Sequence, residues 1–254
     1  KLEKKKINYE IINLSVPGYS PLILKYKLEN LIKSGVKPKK IFYFMDYTDV
    51  HDEANRWTKI NDVEYPVILD EKTQEEIKRA SKIKGHFKIT RLLIYNLNKS
   101  VRNIRKDLNK KNFEEDDKII GKTSWASFTH TPFEDLDKKF WSQNDFDVGI
   151  KNIMKNVKLI SNMAKEINSD FYIVIYPWPE TLEYGEKHFS WQEFASKLCQ
   201  FSKCSKLINS FPKFYNIKRE LLYWKKEYYN LQDIHLNAKG NRVLADVIYK
   251  DIFN

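Results

Sequence analysis

Four short runs of apolar residues recur along the chain, and each ends in turn-forming or polar residues. They cover residues 9–18, 39–49, 170–179 and 206–214. Most of these runs are continuous rather than alternating, which is typical of strands buried on both faces of a parallel sheet. We therefore predict four strands, the first ended by Pro-Gly, the second by acids and the third by prolines.

Amphipathic helices are predicted between and after these runs. Residues 22–35 place apolar side chains three and four positions apart, with Gly35 as the C-cap. Residues 148–168, 190–201 and 238–253 have the same periodicity. Alternation of buried strands with helices predicts an α/β fold, a three-layer α/β/α sandwich built on a parallel sheet.

One segment, residues 54–147, interrupts the alternation. Its apolar spacing predicts a helix around 73–84 and a longer one around 88–110, followed by the aromatic and polar stretch TSWASFTHTPFEDLDKKFW. No repeat or low-complexity linker separates this segment from its surroundings. We interpret it as a helical insertion that caps the sheet, within a single domain spanning residues 1–254.

The distribution of charged and apolar residues bears on whether the protein binds nucleic acid or spans a membrane. The chain has 254 residues and a net charge of +11, from 45 Lys and Arg against 34 Asp and Glu. The lysines are scattered rather than clustered on one face, so we predict no nucleic-acid partner. No stretch approaches the roughly 18 apolar residues of a membrane span, and residues 1–20 contain no signal peptide.

Cysteine usage leaves two alternatives open. Cys199 and Cys204 are either two buried thiols or a disulfide that closes a short turn between a helix and a strand, which requires an oxidising compartment. No paired histidine follows them at zinc-ligand spacing. We predict no metal site and no cofactor.

Polar or conformationally special residues follow the predicted strands. In open parallel sheets, ligands bind beyond the carboxyl ends of the strands, where such residues would meet. Each of these residues can also be explained by an ordinary structural role in a turn, a helix cap or a strand end. The prediction of a site therefore depends on their shared position at one edge of the sheet. The residues are Gly18, Tyr19, Asp46, Thr48, Asp49, Trp178, Asp233 and His235.

Three stretches, INLSVPGYS, FYFMDYTDVHDE and DIHLNAKGNRVLADVI, resemble the SGNH (GDSL-like) hydrolases. The likeness is nearest to the branch with an Asp-x-His pair, which includes alginate-type O-acetyltransferases, and it implies an SGNH or flavodoxin-like sandwich. By this resemblance, Asp233 and His235 are the acid and base of a catalytic triad. Gly18 matches the glycine whose N–H serves the oxyanion hole, and Thr48 occupies the slot where the family carries asparagine.

The resemblance also implies residues that contact substrate. Tyr19 and Trp178 would flank the site, where aromatic rings suit stacking on sugars, although core packing is the alternative for Trp178. Asp46 and Asp49 would contribute polar contacts at the same edge.

The family's Gly-Asp-Ser block does not occur in this chain. We expect the nucleophilic serine and the first strand on a segment preceding Lys1; the alternative is a degenerate, non-catalytic member. The resemblance therefore implies a serine esterase or O-acetyltransferase acting on acylated carbohydrate or another ester. The second hypothesis is a non-catalytic glycan-binding or assembly protein. The expected location is the periplasm or cell envelope, with a signal or anchor before Lys1, and a cytoplasmic location is the alternative.

Overall fold

The computed structural model describes residues 10–15, 18–58, 67–68, 125–138, 141–230 and 234–253. In chain order, its α-helices are α1 (Pro21–Lys33), α2 (Thr48–His51), α3 (Gln143–Glu166), α4 (Pro179–Tyr184), α5 (Trp191–Ser202), α6 (Phe211–Glu220), α7 (Trp224–Tyr228) and α8 (Ala238–Phe253). Its strands are β1 (Lys40–Met45), β2 (Trp57–Thr58), β3 (Val67–Ile68), β4 (Asp170–Ile175) and β5 (Lys206–Asn209). A π-helix spans Asp52–Arg56, and 3₁₀ turns span Ser127–Thr129 and Phe133–Asp135.

The fold is mixed α/β around an open parallel sheet of β1, β4 and β5, with β4 in the middle. Lys40 pairs with Asp170 and Met45 with Ile175, so β1 and β4 end at the same level. All residues of β4 after Asp170 are buried, which accounts for its continuous apolar sequence. β2 and β3 form a separate antiparallel pair.

Side chains of β4 alternate between two buried clusters, one on each face of the sheet. Phe171, Ile173 and Ile175 join the cluster that contains side chains of α1, α3 and α5. Tyr172 and Val174 join the cluster that contains side chains of α6, α7 and α8. Helices therefore cover both faces of the central strand, as the period of two in a strand requires.

Local sequence sets several helix ends. Ser142 Oγ accepts a hydrogen bond from Asp145 N at 3.1 Å and Ser190 Oγ accepts one from Glu193 N at 3.2 Å, so both serines are N-caps. Because Ser142 is a cap, α3 begins at Gln143 rather than at the predicted residue 148. Gly35 has φ of +90° just after α1, which confirms its place at the predicted helix end.

Two predicted strands are wrong in part. Residues 10–15 form no strand, and Ile11 is 81% exposed. An apolar run becomes a strand only where a neighbouring backbone offers hydrogen bonds, and in the described sheet none reaches these residues. β5 ends at Asn209, and the run predicted as strand to 214 continues as α6. Pro212 lies in the first turn of α6, where its missing N–H costs nothing.

The predicted insertion is described only in part. The two helices predicted at 73–84 and 88–110 lie outside the described residues. Residues 125–138 contribute to the core: Phe128 is buried, with its ring centroid 5.1 Å from that of Phe146 and 6.0 Å from that of Trp191. The stretch that the sequence marks as aromatic and polar therefore packs beside α3 and α5.

None of the helices in the described part of the chain has the length and apolar character needed to cross a membrane.

Candidate functional site

The segments that follow β1 and β4 are hydrogen-bonded to each other at the carboxyl edge of the sheet. Tyr176 OH donates to Asp46 Oδ2 at 2.7 Å. The other oxygen of Asp46 accepts hydrogen bonds from Thr48 N at 3.0 Å and from Thr48 Oγ1 at 2.8 Å. Asp46 therefore closes the turn that leads into α2. Burial, together with the charge of Asp46, raises the pKa of Tyr176 well above its usual value.

This geometry corrects the roles predicted for Thr48 and Asp49. The single hydroxyl hydrogen of Thr48 is donated to Asp46, so it is not directed at an oxyanion. Asp49 is only 3% exposed, and its Oδ2 accepts from Tyr43 OH at 2.5 Å and from Asp46 N at 3.0 Å. Burial first, and then the charge of Asp46, raises the pKa of Asp49 well above its usual value. Asp49 is an internal acid without a face toward a substrate.

Gly18 and Tyr19 lie against the π-helix and β2. Gly18 has φ of +78°, and its carbonyl oxygen accepts a hydrogen bond from Trp57 Nε1 at 3.1 Å. The guanidinium of Arg56 lies so close that a Cβ at Gly18 would be 2.7 Å from it. The rings of Tyr19 and Trp57 meet edge to face, with centroids 6.1 Å apart. The sequence-based reasoning missed Arg56 and Trp57, because nothing local links them to Gly18.

Glu53 joins this loop to the rest of the molecule. Its Oε1 accepts from Ser20 Oγ at 2.8 Å and from Leu22 N at 2.5 Å, while its Oε2 accepts from Asn156 Nδ2 at 2.7 Å. Asn152 Nδ2 donates to the backbone oxygen of Glu53 at 2.9 Å. Burial raises the pKa of Glu53 above its usual value, although its three hydrogen bonds act in the opposite direction.

Trp178 belongs to the core. It is 1% exposed, and its ring packs against Tyr47 with centroids 5.2 Å apart. Tyr47 in turn stacks on Trp191 at 4.7 Å. The predicted sugar contact by Trp178 is therefore corrected to core packing, since no face of the ring is open to a ligand.

The segment that carries His235 returns to the carboxyl end of β4. Tyr229 and Leu236 form an antiparallel bridge, and Asn230 N donates to the backbone oxygen of His235 at 2.9 Å. Tyr229 OH donates to the carbonyl oxygen of Pro177 at 2.8 Å, two residues beyond the end of β4. His235 itself is exposed. Asp233 lies outside the described residues.

Cys199 and Cys204 form a disulfide at the end of α5, with Cα atoms 4.9 Å apart. Cys204 N also donates to the backbone oxygen of Cys199 at 3.0 Å. The enclosed Lys203 has φ of +59°, a left-handed conformation that ends the helix. The bond therefore closes the turn between α5 and β5.

The sequence-based reasoning also missed a buried pair, His130 and Glu180. His130 Nε2 lies 2.8 Å from Glu180 Oε1, and His130 Nδ1 lies 3.1 Å from Thr131 Oγ1. This pair joins residues 125–138 to the first turn of α4. A cavity of about 400 Å³ opens beside it, with walls that include Phe133 and Phe189. Among the described residues, no group of three or more His, Cys, Asp and Glu side chains could hold a metal ion.

Comparison of the chain with protein-family models, with curated proteins and with solved structures finds no match. The class of protein is therefore defined by its fold and its site geometry. It is a mixed α/β protein with an open parallel sheet and a polar candidate site at the carboxyl edge of that sheet.

Proposed function

We propose that this chain belongs to an SGNH-type serine esterase or O-acetyltransferase that acts on acylated carbohydrate of the cell envelope. One observation carries the proposal: the loops after β1 and β4 and the segment bearing His235 meet at one sheet edge. The hydrogen bonds from Tyr176 to Asp46 and from Tyr229 to Pro177 join them. Helices on both faces of the sheet support the finer fold, a three-layer α/β/α sandwich of the SGNH or flavodoxin-like kind.

In this proposal His235 is the general base. Asp233 orients its imidazole and stabilises the charged imidazolium that forms when it takes the serine proton. A serine hydroxyl attacks an ester carbonyl only when a neighbouring base removes its proton. The Gly18 N–H would stabilise the resulting oxyanion, and loss of one such donor costs roughly 10²–10³ in rate. Because the chain contains no Gly-Asp-Ser, the proposal requires a serine from a segment that precedes Lys1 in the natural protein.

The contacts around Gly18 modify the substrate-binding part of the proposal. Tyr19 and Trp57 are both half-buried and form the aromatic wall that the sequence assigned to Tyr19 and Trp178. Asp46, which the sequence predicted to contact substrate, would instead order the loop between β1 and α2 through its bonds with Thr48 and Tyr176. Thr48 would act through that turn and not as a hydroxyl donor to the oxyanion.

The test uses the complete natural protein and an aryl acetate as substrate. We expect release of acetate by the wild type and loss of nearly all activity in His235→Ala, because the serine would keep its proton. His188→Ala is the matched control, since His188 is also exposed but lies elsewhere, at the rim of the cavity beside His130. Full activity of a folded His235→Ala protein would disprove the triad.

Replacement of Asp233 with Asn gives a second, graded test. The imidazole of His235 would be held in the wrong tautomer, and losses of about 10⁴ in kcat follow from such a change in serine enzymes. If Asp233 has no catalytic role, Asp233→Asn would leave turnover unchanged. It would also have little effect on the final helix, because Asn237 Oδ1 caps α8 by accepting hydrogen bonds from Lys239 N and Gly240 N.

The second candidate function is a non-catalytic glycan-binding or assembly protein, favoured by the lack of Gly-Asp-Ser in the chain. A complete protein that binds polysaccharide but releases no acetate from it would support this candidate. For both functions we propose the periplasm or cell envelope, and the Cys199–Cys204 bond supports that location, because disulfides persist in oxidising compartments.

A further inference from the structure

The start of α1 is capped by a side chain from a different element. Ser20 occupies the N-cap position but makes no capping bond with its own helix. Its hydroxyl donates instead to Glu53, and the same carboxylate oxygen accepts from the N–H of Leu22 in the first turn of α1. Glu53 therefore does what an N-cap side chain usually does, and its negative charge faces the positive end of the helix dipole.

The Glu53 carboxylate is also anchored on its far side. Its second oxygen accepts from Asn156 in the middle of α3, 103 residues along the chain, and the side chain is 3% exposed. A buried carboxylate is costly unless each oxygen is satisfied. Here both oxygens have partners, so the side chain is held in one position. It therefore links α3 to the loop before α1.

Trp57 holds the same loop from the other end of the π-helix. Its indole N–H donates to the carbonyl oxygen of Gly18, two residues before Ser20. Glu53 lies within the π-helix Asp52–Arg56 and Trp57 directly follows it, so this short element presents both side chains to one loop. Such π-helical turns are rare and often lie at functional sites. Glu53 and Trp57 together fix Gly18, Ser20 and Leu22 through three hydrogen bonds.

We infer that Glu53 is a positioning residue of the candidate site, whose carboxylate fixes the Gly18–Leu22 segment and thereby the direction of the Gly18 N–H. The inference rests on the proposed function for its catalytic consequence. Oxyanion donors must be in place before the reaction, and a misplacement of about 1 Å can cost about 100-fold in rate. Glu53 acts through Gly18 and does not itself touch the substrate.

The experiment compares Glu53→Ala with Glu53→Gln in the complete protein. Glutamine keeps an oxygen that accepts from Ser20 and Leu22, and rotation of the Asn156 amide supplies an acceptor for its NH₂ group. We expect kcat for an aryl acetate to fall about 10- to 100-fold in Glu53→Ala with little change in KM. Glu53→Gln should recover kcat to within about threefold of the wild type.

Ser161→Ala is the matched control, because Ser161 is also a buried polar residue of α3 but donates its hydrogen bond to the backbone oxygen of Ser202 and not to Glu53. It should leave kcat unchanged. Ser20→Ala is the milder variant in case Glu53→Ala does not fold, and it should lower kcat by a smaller factor. Amide hydrogen exchange at Leu22 gives a readout that needs no activity: protection should be lost in Glu53→Ala and kept in Glu53→Gln.

These outcomes separate the inference from the proposed function. A wild type without esterase activity would contradict the proposed function, while exchange at Leu22 would still decide whether Glu53 holds the loop. Unchanged Leu22 protection in Glu53→Ala would overturn the inference. The inference would also be overturned if kcat fell as much in Glu53→Gln as in Glu53→Ala. The negative charge of Glu53, and not its positioning of the Gly18–Leu22 segment, would then be what matters.

Discussion

The Cα of Gly240 lies against the backbone of Tyr228, so that a Cβ there would be 2.2 Å from the carbonyl oxygen of Tyr228. The same Cβ would be 2.8 Å from Leu236 Cδ2. Tyr228 and Leu236 flank the segment that bears His235. The start of α8 is therefore packed directly against the residues on either side of the His235 segment.

We expect Gly240→Ala to push the His235 segment outward and to lower the free energy of unfolding by about 1–3 kcal/mol, as overpacking usually does. The esterase activity proposed for the complete protein should fall more than the loss of folded protein explains. Gly35→Ala is the control: Gly35 has φ of +90° and no atom within 4 Å of an added Cβ, so it should cost about 1–2 kcal/mol through backbone strain alone. Equal specific activity of the two folded variants would contradict the role of Gly240.

Asp49 should make stability depend on pH. Folding raises its pKa above the ordinary value of 3.8, so the folded protein holds a proton that the unfolded chain releases. Stability is then greatest below that ordinary value and falls as pH rises toward the raised value, by about 1.4 kcal/mol per pH unit within that window.

The matched variant is Asp49→Asn, whose side chain still accepts the hydrogen bonds of Tyr43 and Asp46 but cannot titrate. Urea unfolding over roughly pH 4 to 8 should show a smaller decrease in stability for Asp49→Asn than for the wild type. Parallel curves would mean that Asp49 is charged at little cost in the folded protein.

The Cys199–Cys204 bond should contribute to stability. It closes a loop between residues five positions apart, for which the chain-entropy relation gives roughly 2 kcal/mol. Addition of reductant should lower the Tm of the wild type, and the Cys199→Ser/Cys204→Ser variant should start lower and not respond. Two reactive thiols in the native protein isolated without reductant would count against the bond and against an oxidising compartment.

Substitutions of Trp178 and Tyr19 should have different effects, the first mainly on the stability of the fold and the second mainly on substrate binding. Trp178→Leu should cost roughly 2–4 kcal/mol by leaving a cavity beside Tyr47, with KM unchanged. Tyr19→Ala should lower stability by a smaller amount, about 0.5–1.5 kcal/mol, because it removes the edge contact with Trp57. It should raise KM of the complete protein for an acylated sugar about three- to tenfold, the loss of one stacking contact. Thermal unfolding and steady-state kinetics on both variants measure the two effects. A raised KM in Trp178→Leu would contradict the assignment of Trp178 to the core and would indicate that it contacts substrate.

Local periodicity predicted the elements that are amphipathic or buried by themselves. The strand β4 and the helices α1, α3, α5 and α8 were all predicted from the sequence, because their burial follows from the spacing of apolar residues along one element. Element boundaries depended on single caps such as Ser142. The apolar run that ends in Pro212 was ambiguous, since a short apolar stretch suits a strand or a buried helix equally well.

Tertiary structure alone decided which of the polar and aromatic residues lie at the candidate site. The sequence placed Asp46, Tyr19 and His235 near strand or helix ends, but it could not show that Trp178 is enclosed or that Asp49 bonds Tyr43. It gave no sign of Glu53, whose partner in α3 is 103 residues distant. Residue spacing encodes the face of one helix or strand, whereas burial and hydrogen-bond partners arise from the packing of elements far apart in the chain.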